Sequence, residues 1–174
     1  MRMTWSQKFE ELVVYLCQRC DMEKWWGRTK LAKMLYYCDF DAYRDLGSSI
    51  TGAKYVRMPQ GPVAEQLFPA LRGLANVRIV EIQRPIGDFD ELRPTAIDDP
   101  DLSVFSPQEI ALVDQVVDRL KSKTARQLSA MAHREEGWRL AGPGEEIPYF
   151  TALGHIKRPT RAEAEYYEMV VGSP

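Results

Sequence analysis

Histidine, the commonest metal ligand and general base, is scarce in this chain: 174 residues contain two, His133 and His155. A zinc finger or an H-E-x-x-H metal site therefore lacks its ligands. Cysteine is almost as rare, with Cys17, Cys20 and Cys38 only. An odd count without an export signal argues against a disulfide framework. No apolar run approaches the roughly 18 residues of a membrane-spanning helix. Neither sign of charge dominates, since 23 Lys and Arg face 25 Asp and Glu for a net charge of −2. Such a chain has no global positive field to recruit nucleic acid or an anionic membrane. The segment Met1-Arg2-Met3-Thr4-Trp5-Ser6-Gln7-Lys8 lacks the apolar stretch and small-residue cleavage site of a signal peptide, so a cytoplasmic location is expected. G-x-S-x-G, Walker A and G-x-G-x-x-G patterns are missing as well. The expectation is a protein without catalytic residues, cofactor or metal.

What is present is a core. Apolar residues make up 45% of the chain, and four Trp, eight Tyr and six Phe argue against disorder. The length suits one domain over 1–174, with its core at about 6–150. The periodicity predicts a mainly α fold with a small β-hairpin (α+β), compact and helical. A first helix is expected from Ser6 to Asp21, capped by Ser6 or Thr4, with Phe9, Leu12, Val13, Leu16, Cys17 and Cys20 on one stripe. That stripe favours buried small side chains over a metal or redox role for the C-x-x-C pair. Trp25 and Trp26 should pack over the core from the following loop. A second helix, Thr29 to Gly47, carries two apolar stripes and reads as the central helix.

Ala53 to Met58 reads as extended, and Pro62 as the first residue of a third helix, Val63 to Leu74, kinked or broken at Pro69. Val77–Ile82 and Leu92–Ile97 should pair as the hairpin, with Pro94 marking an edge strand. Ser106-Pro107-Gln108-Glu109 is the strongest helix start in the chain. A shorter helix at Thr124–Arg134, a loop-rich stretch beyond Trp138 and a last helix at about 160–170 complete the expectation.

Few residues invite a chemical role. His133 would end a helix, where it can cap carbonyls or pack on Trp138. Asp39 and Asp41, two apart on a helix, diverge and are expected to be solvated or cap-side charges. Arg28, Lys30 and Lys33, with Lys24 nearby, could touch phosphates. Asp21 and Glu23 lie beside them, however, and a helix N-terminus disfavours cations, so nucleic acid is not the expected partner. Tyr55, Met58, Pro59, Gln60, Gly61 and Pro62, with Tyr43 before them, form a rigid aromatic and proline segment suited to docking a protein. The alternative is that Tyr55 and Met58 seal the edge of the core, and composition leaves both open.

Four motifs in order carry a resemblance. Lys30-Leu31-Ala32-Lys33-Met34-Leu35-Tyr36-Tyr37-Cys38-Asp39 resembles the K-L-x-K-L-L-Y-x-x-D signature of the Panacea family, also described as SocA-like or GepA-like. Thr51-Gly52 with Tyr55 resembles its T-G-x-x-Y element, and Gln60-Gly61-Pro62-Val63 its Y-G-P-V element. Leu128-Ser129 with His133 and Trp138 resembles its L-S-x-x-x-H…W element. Met58 stands where an aromatic is usual, and Gln60 where tyrosine is common. The resemblance implies an antitoxin of a toxin–antitoxin pair, prophage-associated, that neutralises a toxin encoded by a neighbouring gene through direct contact. It also implies the alternative of an adaptor that delivers the toxin to a cytoplasmic protease. A DNA-binding regulator or an enzyme built on His133 and Asp39 is a weaker reading. Most motif residues read as scaffold.

Overall fold

A computed structural model describes residues 6–154. His155, Thr4 and the helix expected at 160–170 lie outside the described residues. The first helix, α1 (Gln7–Arg19), starts at Ser6, whose hydroxyl accepts the Phe9 N–H at 3.2 Å. The anticipated stripe is buried on it, from Phe9 through Cys17, with Cys20 following at the C-cap. Burial pushes the Cys20 thiol up to about 12 and the Cys17 and Cys38 thiols well above their ordinary value. They pack as small apolar groups.

The second helix, α2 (Arg28–Leu46), is the axis of the molecule. Every residue from Lys30 to Ala42 is buried, so the helix is covered on all sides, and it ends at Gly47 with φ +85°. Packed around it are α1, the first hairpin and part of the second, α4 (Pro107–Leu120), α5 (Ala125–Ala132) and a 3-10 turn at Tyr149–Leu153. Trp26 seals the entry to α2 and donates its indole N–H to the Pro94 carbonyl at 2.7 Å. Trp25 stays partly exposed under the Lys24 ammonium.

The chain after α2 departs from expectation. Gly61–Ala64 is not the start of a helix but a strand, β2, paired antiparallel with β1 (Tyr55–Met58) in the register Tyr55↔Ala64 to Met58↔Gly61. The two turn residues, Pro59 and Gln60, keep negative φ, and Gly61 at φ +113° restores the strand twist. The segment at 144–147 runs along the outer edge of β1, with Arg57 N–H bonded to Glu145 O at 2.9 Å and Ile147 N–H to Tyr55 O at 2.8 Å. Helix α3 therefore begins later (Leu67–Leu74), and Pro69 sits in its first turn. The N–H groups there have no intrahelical partner, so the proline causes no break.

The expected second hairpin exists and is longer than its apolar pattern indicated: β3 (Ile79–Ile86) pairs with β4 (Phe89–Ala96) around Gly87-Asp88. Pro85 and Pro94 are tolerated because both strands of a two-stranded ribbon are edges. Its base is tied to α1 by Arg78, which is bonded to the buried Glu11 at 2.7 Å. Helix α4 carries the anticipated reciprocal Ser106–Glu109 cap, and α5 has a similar one from Thr124 and Gln127. Trp138 lies on a short helix, α6 (Glu136–Leu140), rather than just before a loop.

Candidate docking site at the first hairpin

Two of the four motifs meet at Asp39. Its carboxylate is fully buried on α2, and it accepts the Thr51 N–H at 2.8 Å, the Thr51 hydroxyl at 2.5 Å and the Tyr55 hydroxyl at 2.7 Å. Burial raises its pKa, and the hydrogen bonds from Thr51 and Tyr55 oppose that rise. The expectation of a solvated Asp39 is thus corrected: the turn at Thr51-Gly52 wraps over it and supplies partners that a helix face in water would not need. Asp41 is also mostly buried, between Arg119 at 2.6 Å and Arg44 at 3.2 Å.

Of the two readings left open for Tyr55, the structure shows the core seal: it is 1% exposed, its hydroxyl spent on Asp39 and its ring edge-on to Tyr36 and Phe40. Gly61 and Pro62 are buried as well. Tyr43 is half-buried and stacked on Tyr149. Of the expected docking segment, Met58, Pro59 and Gln60 are the residues presented to solvent.

The other two motifs meet at that hairpin tip. A ring nitrogen of His133 lies 3.0 Å from the Pro59 carbonyl oxygen, and the Trp138 indole N–H donates to the Met58 carbonyl at 3.0 Å. The two rings stack at 4.0 Å between centroids. Arg57 also lies over the Trp138 ring, 4.1 Å from its centroid, and donates to the Ala141 carbonyl at 2.6 Å. The expected packing of His133 on Trp138 is found, and its purpose is now visible: together they grip two consecutive carbonyls of the tip from α5 and α6. Leu128, fully buried on α5, anchors that helix to the core, with Ser129 half-buried beside it.

Between the tip, α3 and the first half of α2 runs a groove of about 490 Å³. Met58 and Phe68, each about two-fifths exposed, stand on its apolar rim, with Val63 between. Lys33 lines it too, although its side chain is almost wholly buried and donates to the Pro62 carbonyl at 3.3 Å. Burial pushes the Lys33 ammonium down to about 8. Lys30 is buried against the Lys121 carbonyl, and Arg28 is held by both oxygens of Glu81 at 2.5 Å. The basic group at the start of α2 is accordingly a set of interior and paired cations, not a surface for phosphates. Leu31 and Leu35 are core, as expected.

Phe68 escaped the sequence reading because it lies off the stripe of Leu67, Ala70, Leu71 and Leu74 that α3 buries. An aromatic displaced from a helix's apolar face was the available signal. Such a groove, with a pinned turn and a cation at its wall, can bind.

No curated protein and no solved structure matches the chain significantly. A family profile described as antitoxin SocA-like, Panacea domain, matches residues 31–139. That span holds all of α2 but its first turn, both hairpins, α4, α5 and Trp138, and thus nearly every residue of the four linked motifs. By that match the chain belongs to the SocA-like antitoxin family of Panacea-domain proteins.

Proposed function

We propose that this protein is the antitoxin of a toxin–antitoxin pair and that it neutralises a cognate protein toxin, encoded by a neighbouring gene, by direct contact at the Met58–Gln60 tip and the groove beside it. The observation that carries the reading is the pinning of that tip. His133 and Trp138 immobilise two carbonyls of a turn whose side chains face solvent, so little conformational entropy remains to be lost when a partner docks. Family membership supports an antitoxin-like role, and the exposed Met58 and Phe68 supply an apolar centre of the kind protein interfaces use. The encounter is set in the cytoplasm, where free thiols such as Cys17, Cys20 and Cys38 persist.

The test is co-expression with the neighbouring gene in bacteria. Growth arrest by that gene alone, relieved by the wild-type chain and not by Met58→Asp at equal soluble level, is the expected result. Equal arrest with and without the wild-type chain would sink the proposal. Toxin half-life, followed in the same cells, is expected to be unchanged by the antitoxin. Shortening that depends on a cytoplasmic protease would replace holding by delivery.

A further inference from the structure

Lys33 carries a charge that the described structure leaves largely unanswered. An ammonium has three N–H donors. Among the described residues Lys33 has a single acceptor, the Pro62 carbonyl at 3.3 Å, and its side chain is 1% exposed. Lys30, one turn earlier on α2, is in the same state, wholly buried with the Lys121 carbonyl as its acceptor, but it does not line the groove. The arginines are matched, Arg28 by Glu81, and Arg44 and Arg119 by Asp41. A methionine would fill the same space without a buried charge, so the ammonium is costly for folding and calls for a compensating use.

Its position is also controlled. Gly61 has no side chain, and a Cβ built there would lie 2.6 Å from Lys33 Cε, so the hairpin backbone closes directly on the lysine stem. Of the two cations that line the groove, Arg28 is already held by Glu81, so Lys33 is the one whose charge no carboxylate among the described residues answers. The groove is half-open, with a volume of about 490 Å³.

We propose that Lys33 is the anchor for a carboxylate of the toxin: an aspartate or glutamate side chain enters the groove and accepts from the Lys33 ammonium, while an apolar neighbour in the toxin sequence packs on Met58 and Phe68. The inference rests on the proposed neutralising contact and adds the chemistry of the partner. The low local polarity that makes the lone ammonium costly makes its pairing strong, and a toxin lacking the carboxylate is rejected because it would leave the charge unpaired.

The experiment measures affinity by calorimetry between the full chain and the protein encoded beside it. Lys33→Met is expected to weaken binding by about thirtyfold or more, the loss that follows truncation of a buried charge pair, without lowering Tm. In the toxin, one Asp→Asn or Glu→Gln substitution should cost a similar factor against the wild-type chain and add little on top of Lys33→Met. Lys33→Met binding within about threefold of wild type, with Met58→Asp losing the complex, overturns the anchor and keeps the docking surface. A toxin series in which no carboxamide substitution weakens binding overturns it as well, whether or not Lys33→Met folds. Displacement of the toxin by millimolar inorganic phosphate, lost in Lys33→Met, reassigns the groove to a phosphate ligand. Unchanged binding by both Met58→Asp and Lys33→Met, or no complex at all, removes the proposed surface and the anchor with it.

Discussion

Replacing Asp39 strands three donors at once. The Thr51 N–H, the Thr51 hydroxyl and the Tyr55 hydroxyl all end on its carboxylate inside the core. A buried donor left without a partner costs about 1–3 kcal/mol, so Asp39→Ala should lose at least about 3 kcal/mol of stability in urea denaturation. Tyr55→Phe removes one donor from a charged acceptor and should lose about 2 kcal/mol. An Asp39→Ala protein as stable as wild type would show that the turn at Thr51 does not depend on it. Lys33 behaves in the opposite sense. Its pKa falls from 10.5 in the unfolded chain to about 8 in the fold. Below pH 8 both states hold the proton, and the buried charge is a constant burden. Between 8 and 10.5 the unfolded chain binds more protons than the folded one, so this group's contribution to stability rises with pH. Lys33→Met removes the burden; it should be more stable than wild type at pH 7 and lose about 2 kcal/mol of that advantage by pH 9.5. A difference between the two proteins that stays flat across this range would contradict a depressed Lys33.

At the level of elements, the first hairpin is where local pattern and tertiary demand diverged. Pro62 at a plausible helix start suggested a helix from Val63, because proline is at home at N1. Gly61 decided otherwise: its positive φ and the Lys33 stem against it belong to a tight hairpin turn. Gly61→Ala should therefore cost about 2 kcal/mol in chemical denaturation, from backbone strain together with the clash on Lys33 Cε. Gly52→Ala is the control. Gly52 also has positive φ, at +70°, but a Cβ there meets nothing within 4 Å, so about 1 kcal/mol is expected. Equal losses at the two sites would remove the role given to the Gly61–Lys33 contact. By contrast, α1, α2 and α4 were legible because each carries its own stop or start: Ser6, Gly47, and the Ser106–Glu109 box. The outer half of β3 was not, since Gln83-Arg84-Pro85 has no apolar alternation and is extended by its register with β4 alone.

For the whole molecule, the family match begins inside α2, yet α1 supplies Phe9, Leu12, Val13, Leu16 and Cys17 to the same core. A fragment of residues 31–139 would expose the face of α2 that α1 covers and would lack the Arg78–Glu11 tie. It should fail to give a cooperative thermal transition by circular dichroism, whereas the full chain should give one. A cooperative fragment would make α1 an accessory rather than part of the domain. The amino-acid sequence by itself determined the helical class, the central place of α2 and the burial of the cysteines, because helical periodicity and capping act over a few residues. It also carried the four motifs, though as separate strings. Tertiary structure alone decided that Asp39, Thr51 and Tyr55 are one buried knot and that His133 and Trp138 grip the Met58–Pro59 carbonyls. It likewise decided that Lys33 faces the first hairpin from inside. Those partners lie up to 80 residues apart, and hydrogen bonding across such separations leaves no periodic trace in the chain.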